Sequence, residues 1–153
     1  MVNDQTPGTA SATPPEITYQ DNLDWVDWAA LNHDLAVDRF DNGRSNEQLE
    51  KSFANSYATC VAWCRGQVIG TARVLSDGVC NAYLIDVWTS SKFRRRGVAR
   101  EMIRRLCECL DGQHVYLQAD PDNLDIYRRL GFKEQPSGMS KIVGRWLTNS
   151  NSA

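Results

Sequence analysis

The sequence predicts an α+β domain with a central mixed, mostly antiparallel twisted sheet of six to seven strands, flanked by about four helices. Three β-rich segments follow one another across short turns that contain glycine, which indicates an antiparallel meander. An amphipathic helical pattern then separates the third segment from another apolar run. That next strand is therefore expected to pair in parallel, through a helical crossover.

The length and composition fit one globular domain. The chain has 153 residues, of which 42% are hydrophobic and 24% charged, and this is enough to bury a single core. We expect the domain to span residues 15–147, between polar tails at 1–14 and 148–153 that have little to bury. The net charge of -2 disfavours nonspecific binding of nucleic acid or membranes by the whole surface.

Targeting and metal-binding signals are not recognisable in the sequence. It has no run of about 18 apolar residues and no charged segment followed by an apolar one near its start, so we expect no membrane partner and a cytoplasmic location. The five cysteines form no C-x-x-C pair, and both histidines lie far from any cysteine pair. We therefore expect no metal site.

The first elements are a strand and a helix. Residues 16–20 alternate between apolar and polar side chains, as half-buried strands do. Apolar side chains at helical spacing over residues 25–35 predict a helix behind a cap at Asp21 or Asn22.

A capping box predicts the second helix, over residues 46–54. Ser45 is followed three positions later by Gln48, and Leu49 and Phe53 then lie on one face. Each residue of the box can bond a backbone N–H group of the other, which predicts a helix that begins sharply after Ser45.

The meander covers three apolar, β-rich runs at residues 57–64, 68–75 and 81–89. Gly66 lies in the first turn and supplies the positive φ that a tight hairpin needs. The next helix has an apolar face and should pack on these strands, after which residues 114–119 form the parallel strand. That face consists of Val98, Met102, Ile103, Leu106, Cys107 and Leu110.

A short helix and a hairpin are predicted at the end of the domain. Asp120 is suited to the N-cap, Pro121 to the first helical position and Gly131 to the stop. The runs 132–135 and 140–147 then read as a final hairpin-like pair of strands.

An arginine-rich stretch begins directly after the third meander strand. Gly97 follows three consecutive arginines and opens a helix, whose first N–H groups and dipole favour an anion. Basic residues outnumber acidic ones by seven to one between residues 92 and 105, although the chain is acidic overall. This stretch has neither the Gly-Lys-Ser/Thr of a P-loop nor a G-x-G-x-x-G motif. The basic residues are Lys92, Arg94, Arg95, Arg96, Arg100, Arg104 and Arg105.

The motif R-x-x-G-x-A at Arg94–Ala99 resembles the acyl-CoA loop of the GNAT superfamily of N-acetyltransferases. The order of elements over residues 16–147 is similar to that family, and so is the Y-x-x-x-G-F motif from Tyr127 to Phe132. Ser91 departs from the pattern, because family members commonly have a proline there. The resemblance implies a GNAT fold and acetyl transfer from acetyl-CoA to a primary amine, by direct attack in a ternary complex.

The resemblance also implies which residues bind acetyl-CoA. The strand backbone would bind the pantetheine arm, and the loop amides would bind the pyrophosphate between two flanking arginines. The predicted cosubstrate residues are Val87, Trp88 and Thr89 for the arm, Arg95, Arg96, Gly97, Val98 and Ala99 for the pyrophosphate, Arg94 and Arg100 as flanking charges, and Asn123 as a further contact. Arg104 and Arg105 are interpreted as residues of a solvated helix face.

Two residues are candidates for proton transfer. Tyr127 matches the family's tyrosine that protonates the leaving thiolate. Asp86 lies in an otherwise apolar strand and is the candidate general base. An equally weighted alternative is that Asp86 faces a solvated groove or bonds a neighbouring loop.

Several questions of function stay open at this level. The acceptor is a small-molecule primary amine or a protein amine, and the resemblance is compatible with a homodimer. One alternative is an acetyl-CoA sensor without turnover. Another is a nucleic-acid-binding module that uses the basic patch from Arg94 to Arg105, but no aromatic platform accompanies the patch, so we expect no nucleic acid partner.

Overall fold

The computed structural model describes residues 15–144 and Leu147, so the two predicted tails lie outside the described residues. The strands are β1 (Ile17–Gln20), β2 (Ala58–Cys64), β3 (Gln67–Ser76), β4 (Asn81–Thr89) and β5 (His114–Leu117). The α-helices are α1 (Trp28–Val37), α2 (Asn46–Ala54), α3 (Val98–Glu108) and α4 (Leu124–Arg129). Within this part of the chain, no helix is long and apolar enough to cross a membrane.

The five strands form one sheet in the order β1-β2-β3-β4-β5. The first four pair antiparallel, and β5 pairs parallel to β4. The predicted α+β class, the meander and the parallel crossover are therefore confirmed. The count of six to seven strands is too high for the described residues.

The predicted final hairpin is wrong over residues 132–144, which contain no strand. The segment is polar from Lys133 to Gln135 and continues into Pro136 and Gly138. Proline has no N–H group for a sheet, and glycine weakens an extended segment. These residues therefore prevent strand formation despite the few apolar side chains of the segment.

The start of α1 also differs from the prediction. The N-cap is Asp27, whose side chain accepts from Ala30 N, rather than Asp21 or Asn22. The segment before it folds back on itself, because Asn22 Oδ1 accepts from Asp24 N and Gln20 Nε2 donates to Asp24 O. These local bonds compete with a helix and delay its start.

The second helix follows its prediction closely. It begins at Asn46 behind Ser45, and both hydrogen bonds of the capping box with Gln48 are formed. Leu49 and Phe53 point from it into the core. This agreement reflects a signal that depends only on neighbours in the chain.

Apolar side chains are buried in two clusters. The larger one lies between α3 and the sheet and includes Met102 and Val98. The smaller one joins α1 and α2 to Trp88 of β4, with Trp28 packed on Phe53 at 5.6 Å between ring centroids. These two clusters hold β4 in place.

Gly70 of β3 allows α3 to lie close to the sheet. A Cβ atom at this position would stand 3.1 Å from Met102 Cε, from Val98 Cγ1 and from the carbonyl oxygen of Trp88. A side chain there would therefore press against both α3 and β4.

We predict that Gly70→Ala lowers the free energy of unfolding by about 1–3 kcal/mol, because it overpacks this contact. Denaturant unfolding measures the change. Gly138→Ala is the control, since a Cβ atom there would meet only Gln135 O, at 3.8 Å. Equal stability of the two variants would contradict the close packing inferred at Gly70.

Candidate functional site

The strands β4 and β5 pair over only part of their length. Asn81–Leu84 pairs with His114–Leu117, and β5 ends there. Beyond this point β4 continues from Ile85 to Thr89 without a described neighbour on that side. We call this part the open edge of β4. Its backbone polar groups on the side away from β3 have no strand partner among the described residues, although Thr89 O accepts from Arg94 Nε, and the predicted arm-binding residues Val87–Thr89 lie on it.

A β-bulge lies within the open edge. Arg73 pairs with Ile85 and Thr71 with Trp88, so the single residue between them on β3 faces both Asp86 and Val87. Asp86 has a φ of +53°, which is uncommon for a residue other than glycine. Bulges of this kind bend a strand and redirect its side chains.

A buried ionic cluster holds the bulge. Asp86 Oδ2 accepts from Arg44 Nη1 and Arg73 Nε, each at 2.7 Å. The three side chains are only 6–10% exposed. Arg73 also donates to the carbonyl oxygen of Ser52, in α2. The bulge is thus bonded to the loop between α1 and α2 and to α2 itself.

This cluster bears on the predicted base role of Asp86, which stays a prediction. The second interpretation from the sequence was that Asp86 bonds a neighbouring loop, and the contact with Arg44 is of that kind. Asp86 is the counter-charge of two buried guanidinium groups, and this role is by itself sufficient to account for a carboxylate in the strand.

The arginine loop, residues 94–97, joins the open edge of β4 to α3. Arg95 has a φ of +62° and Gly97 a φ of +81°. Residues in the left-handed region let the backbone turn sharply between β4 and α3. Gly97 is the N-cap of α3 and offers no side chain to its N–H groups, whereas Asp27 and Ser45 cap α1 and α2.

Some of the charged side chains around this loop form ion pairs and others do not. Arg104 and Arg105 pair with Glu101, and Arg104 pairs also with Glu108, in agreement with their interpretation as a solvated helix face. Among the described residues no carboxylate lies within ion-pair distance of Arg95, Arg96 or Arg100. All three are exposed.

Tyr127 lies on α4, on the other side of β5. It is partly buried, its ring packs edge-on against Phe132 at 6.0 Å between centroids, and it lines a cavity of about 520 Å³ between β5, α4 and residues 131–136. Burial and the charge of Asp120 raise the pKa of the Tyr127 phenol, so it stays protonated at neutral pH. This cavity does not include the open edge of β4 or the arginine loop.

Not every predicted site residue has a visible partner. Asn123 is exposed and precedes α4 without a side-chain cap bond, so its contact with the cosubstrate stays a prediction. Three side chains that organise the site were not predicted at all: Asp38, Arg44 and Arg73. A buried arginine in the apolar strand "GTARVL" is a signal for Arg73, because a buried charge requires a partner.

Comparison with known proteins gives the family. Residues 21–132 match the model of the Acetyltransferase (GNAT) family. The chain belongs to the GNAT family. The resemblance found in the sequence motif is thereby confirmed for most of the domain.

Individual relatives agree with this assignment. The chain is 33% identical over 86 residues to Histone acetyltransferase TAP1 of Glycine max, covering 54% of this chain and 36% of that protein. It is 33% identical over 78 residues to the chloroplastic GCN5-related N-acetyltransferase 1 of Arabidopsis thaliana, covering 49% and 40%. The match thus spans about two fifths or less of each of these relatives.

A solved structure shows the same fold. A putative acetyltransferase from Deinococcus radiodurans R1 superposes with a TM-score of 0.72 at 28% identity, covering 82% of this chain and 87% of that one. The GNAT fold expected from the sequence is confirmed.

We predict that Asp86→Ala destabilises the domain by about 3–5 kcal/mol, because it leaves Arg44 and Arg73 buried without a counter-charge. The free energy of unfolding in urea measures this loss. Asp34→Ala is the control, since Asp34 is exposed on α1 and its loss should change stability by at most about 0.5 kcal/mol. A loss below about 1 kcal/mol for Asp86→Ala would contradict the role given to the cluster.

Proposed function

We propose that the chain is an acetyl-CoA-dependent N-acetyltransferase that acts on a primary amine. One observation carries the proposal: the open edge of β4 runs directly into the uncapped, arginine-rich start of α3. A ligand with an extended, amide-containing arm next to an anionic pyrophosphate fits this arrangement, because the arm can bond the strand edge and the pyrophosphate can bond the cationic loop. Family membership supports the same cosubstrate.

The residues present fit acetyl-CoA. Val87, Trp88 and Thr89 would pair with the amides of the pantetheine arm, as a neighbouring strand would. The N–H groups from Arg95 to Ala99 would receive the pyrophosphate. Arg94 and Arg100 would flank it, and both have exposed side chains in this structure.

Acetyl-CoA supplies an activated thioester to the site. In the proposed transfer the neutral amine nitrogen bonds to the acetyl carbon and gives up one of its protons, the carbon–sulfur bond breaks, and the sulfur leaves as a thiolate that takes up a proton. Backbone N–H groups at the open edge of β4 would stabilise the negative charge that develops on the carbonyl oxygen. The reaction needs no covalent intermediate on the protein.

The reaction requires proton transfers from the amine and to the thiolate, and side chains must support both. A lysine-like amine with a pKa near 10.4 must lose a proton first, which requires about 4.6 kcal/mol at pH 7. A water relay that ends near Asp86 is the base arrangement most compatible with the ionic cluster around that residue. Tyr127 is the proposed acid for the thiolate, since its phenol is protonated at neutral pH and partly buried.

The proposed acceptor is a primary amine, carried either by a protein or by a small molecule. The name of the soybean relative refers to histones, which supports a lysine side chain, and a small primary amine fits the same chemistry. We propose the loop between α1 and α2 as the acceptor side, because it is bonded to the β4 bulge through Arg44.

We predict that acetyl-CoA at about 100 times its dissociation constant adds about 2.7 kcal/mol to the stability, which thermal unfolding detects as a shift of several degrees. Arg96→Glu should abolish most of the shift, because it reverses a charge at the loop. Arg129→Glu makes the same charge change on an exposed part of α4 and should leave the shift intact.

An RNA oligomer at the same salt concentration serves as the second control. A shift with acetyl-CoA that both variants retain would count against the arginine loop. No shift with acetyl-CoA, together with salt-sensitive binding of RNA, would replace the proposal by the nucleic-acid alternative.

We predict that Tyr127→Phe lowers the turnover number by at least about tenfold while the affinity for acetyl-CoA is unchanged, because only the acidic proton is lost. Release of CoA thiol with small amines and a lysine peptide measures turnover. Tyr116→Phe, at an exposed tyrosine of β5, is the matched control.

The turnover rate of the wild type should not fall through deprotonation of Tyr127 below about pH 10, since the pKa of Tyr127 is raised above its ordinary value. A wild-type protein that binds acetyl-CoA but acetylates none of these amines would favour the sensor alternative.

A further inference from the structure

The carboxylate of Asp38 connects α1 to the start of the arginine loop. Asp38 is the C-cap residue of α1, and its side chain is only 8% exposed. Its Oδ2 atom accepts from the indole Nε1 of Trp88 and from the backbone N of Ser91, each at 2.9 Å. These donors lie on either side of the end of β4. One carboxylate thus spans the point at which the strand leaves the sheet.

Arg94 adds a third contact to this carboxylate. Its Nη2 lies 3.6 Å from Asp38 Oδ2, and its Nε donates to the carbonyl oxygen of Thr89 at 3.3 Å. The Arg94 side chain is nevertheless 57% exposed. Asp38 and Thr89 therefore restrain the position of the Arg94 side chain, while its remaining N–H groups reach solvent.

Asp38 carries a negative charge next to the arginine loop. Burial raises the pKa of Asp38, but the hydrogen bonds from Ser91 and Trp88 and the charge of Arg94 together lower it below its ordinary value. The group is therefore ionised at neutral pH. A carboxylate beneath an anion-binding loop weakens the attraction of the loop for phosphate. Asp38 must therefore favour binding by fixing the geometry of the loop and not by its charge.

The Ser91 contact uses the backbone N–H group, which every residue except proline has. Ser91 begins a 3₁₀ turn, Ser91–Phe93, and its N–H group is directed to Asp38. A proline at this position would have no N–H group to donate. The hydrogen bond to Asp38 thus connects the start of the turn to the C-terminal end of α1.

We propose that Asp38 is a positioning residue for acetyl-CoA binding: it fixes Ser91 and Arg94 so that the end of β4 and the arginine loop keep one geometry relative to α1. The inference rests on the proposed function and deepens it. Helix α1 leads into the loop on the proposed acceptor side. Asp38 therefore also connects the acetyl-CoA side of the site to the acceptor side.

Substitutions at Asp38 separate its geometry from its charge. Asp38→Ala removes every contact, and its dissociation constant for acetyl-CoA should rise at least tenfold in titration calorimetry. Asp38→Asn removes the charge but keeps an oxygen that accepts from Ser91 N, so its affinity should stay within about threefold of the wild type. Asp34→Ala removes an exposed carboxylate from the same helix and should have no effect.

Hydrogen exchange provides a readout without ligand. The amide of Ser91 should exchange at least tenfold faster in Asp38→Ala than in the wild type, whereas Asp34→Ala should not change it. Ser91→Pro is the second variant, and it removes the amide donor together with the Ser91 hydroxyl. The first position of the turn and the extended backbone of Ser90 (φ −46°, ψ 134°) accept a proline. Its dissociation constant should rise about threefold.

The outcomes distinguish this inference from the proposed function. A wild-type protein that does not bind acetyl-CoA overturns both. If the wild type binds acetyl-CoA and a folded Asp38→Ala variant binds it within twofold of the wild type, only the positioning role is overturned. If Asp38→Ala does not fold, Ser91→Pro decides, and an unchanged dissociation constant together with unchanged exchange around Arg94 overturns the role.

Discussion

The structure depends most on the place at which β4 leaves β5. Parallel pairing lasts for four residues and stops after Leu84, while β4 stays packed between the two apolar clusters and runs on to Thr89. A strand in this position presents unpaired backbone groups that require partners. The binding surface that we propose is therefore made by the end of a sheet rather than by a dedicated set of side chains.

Two buried carboxylates support that edge from beneath. Asp86 bonds Arg44 and Arg73 at the bulge, and Asp38 bonds Trp88 and Ser91 at the strand end. Asp86 is bonded among the packed elements, whereas Asp38 lies at the start of the arginine loop and also contacts Arg94. Arg95, Arg96 and Arg100 have no carboxylate partner among the described residues and favour an anion at the loop, while the two carboxylates hold the adjoining strand.

The sequence predicted best where the determinants are neighbours in the chain. The capping box at Ser45, the meander strands and the apolar face of α3 were all located within a few residues, because each depends on local hydrogen bonds or on periodicity. The start of α1 was misplaced because the side chains of Asn22 and Gln20 close turns that compete with the helix. The final hairpin is wrong over residues 132–144, because Pro136 and Gly138 disfavour paired strands there.

The sequence by itself determined the family, the α+β class and the contiguous stretch from the β4 edge to the arginine loop, since all of these depend on motifs or on residues close together in the chain. Only the tertiary structure decided which charges are paired. Arg44 and Asp86 are 42 residues apart in the chain, and Asp38 and Ser91 are 53 apart. No periodicity connects such positions, because their contact arises only when α1 and α2 pack against the sheet.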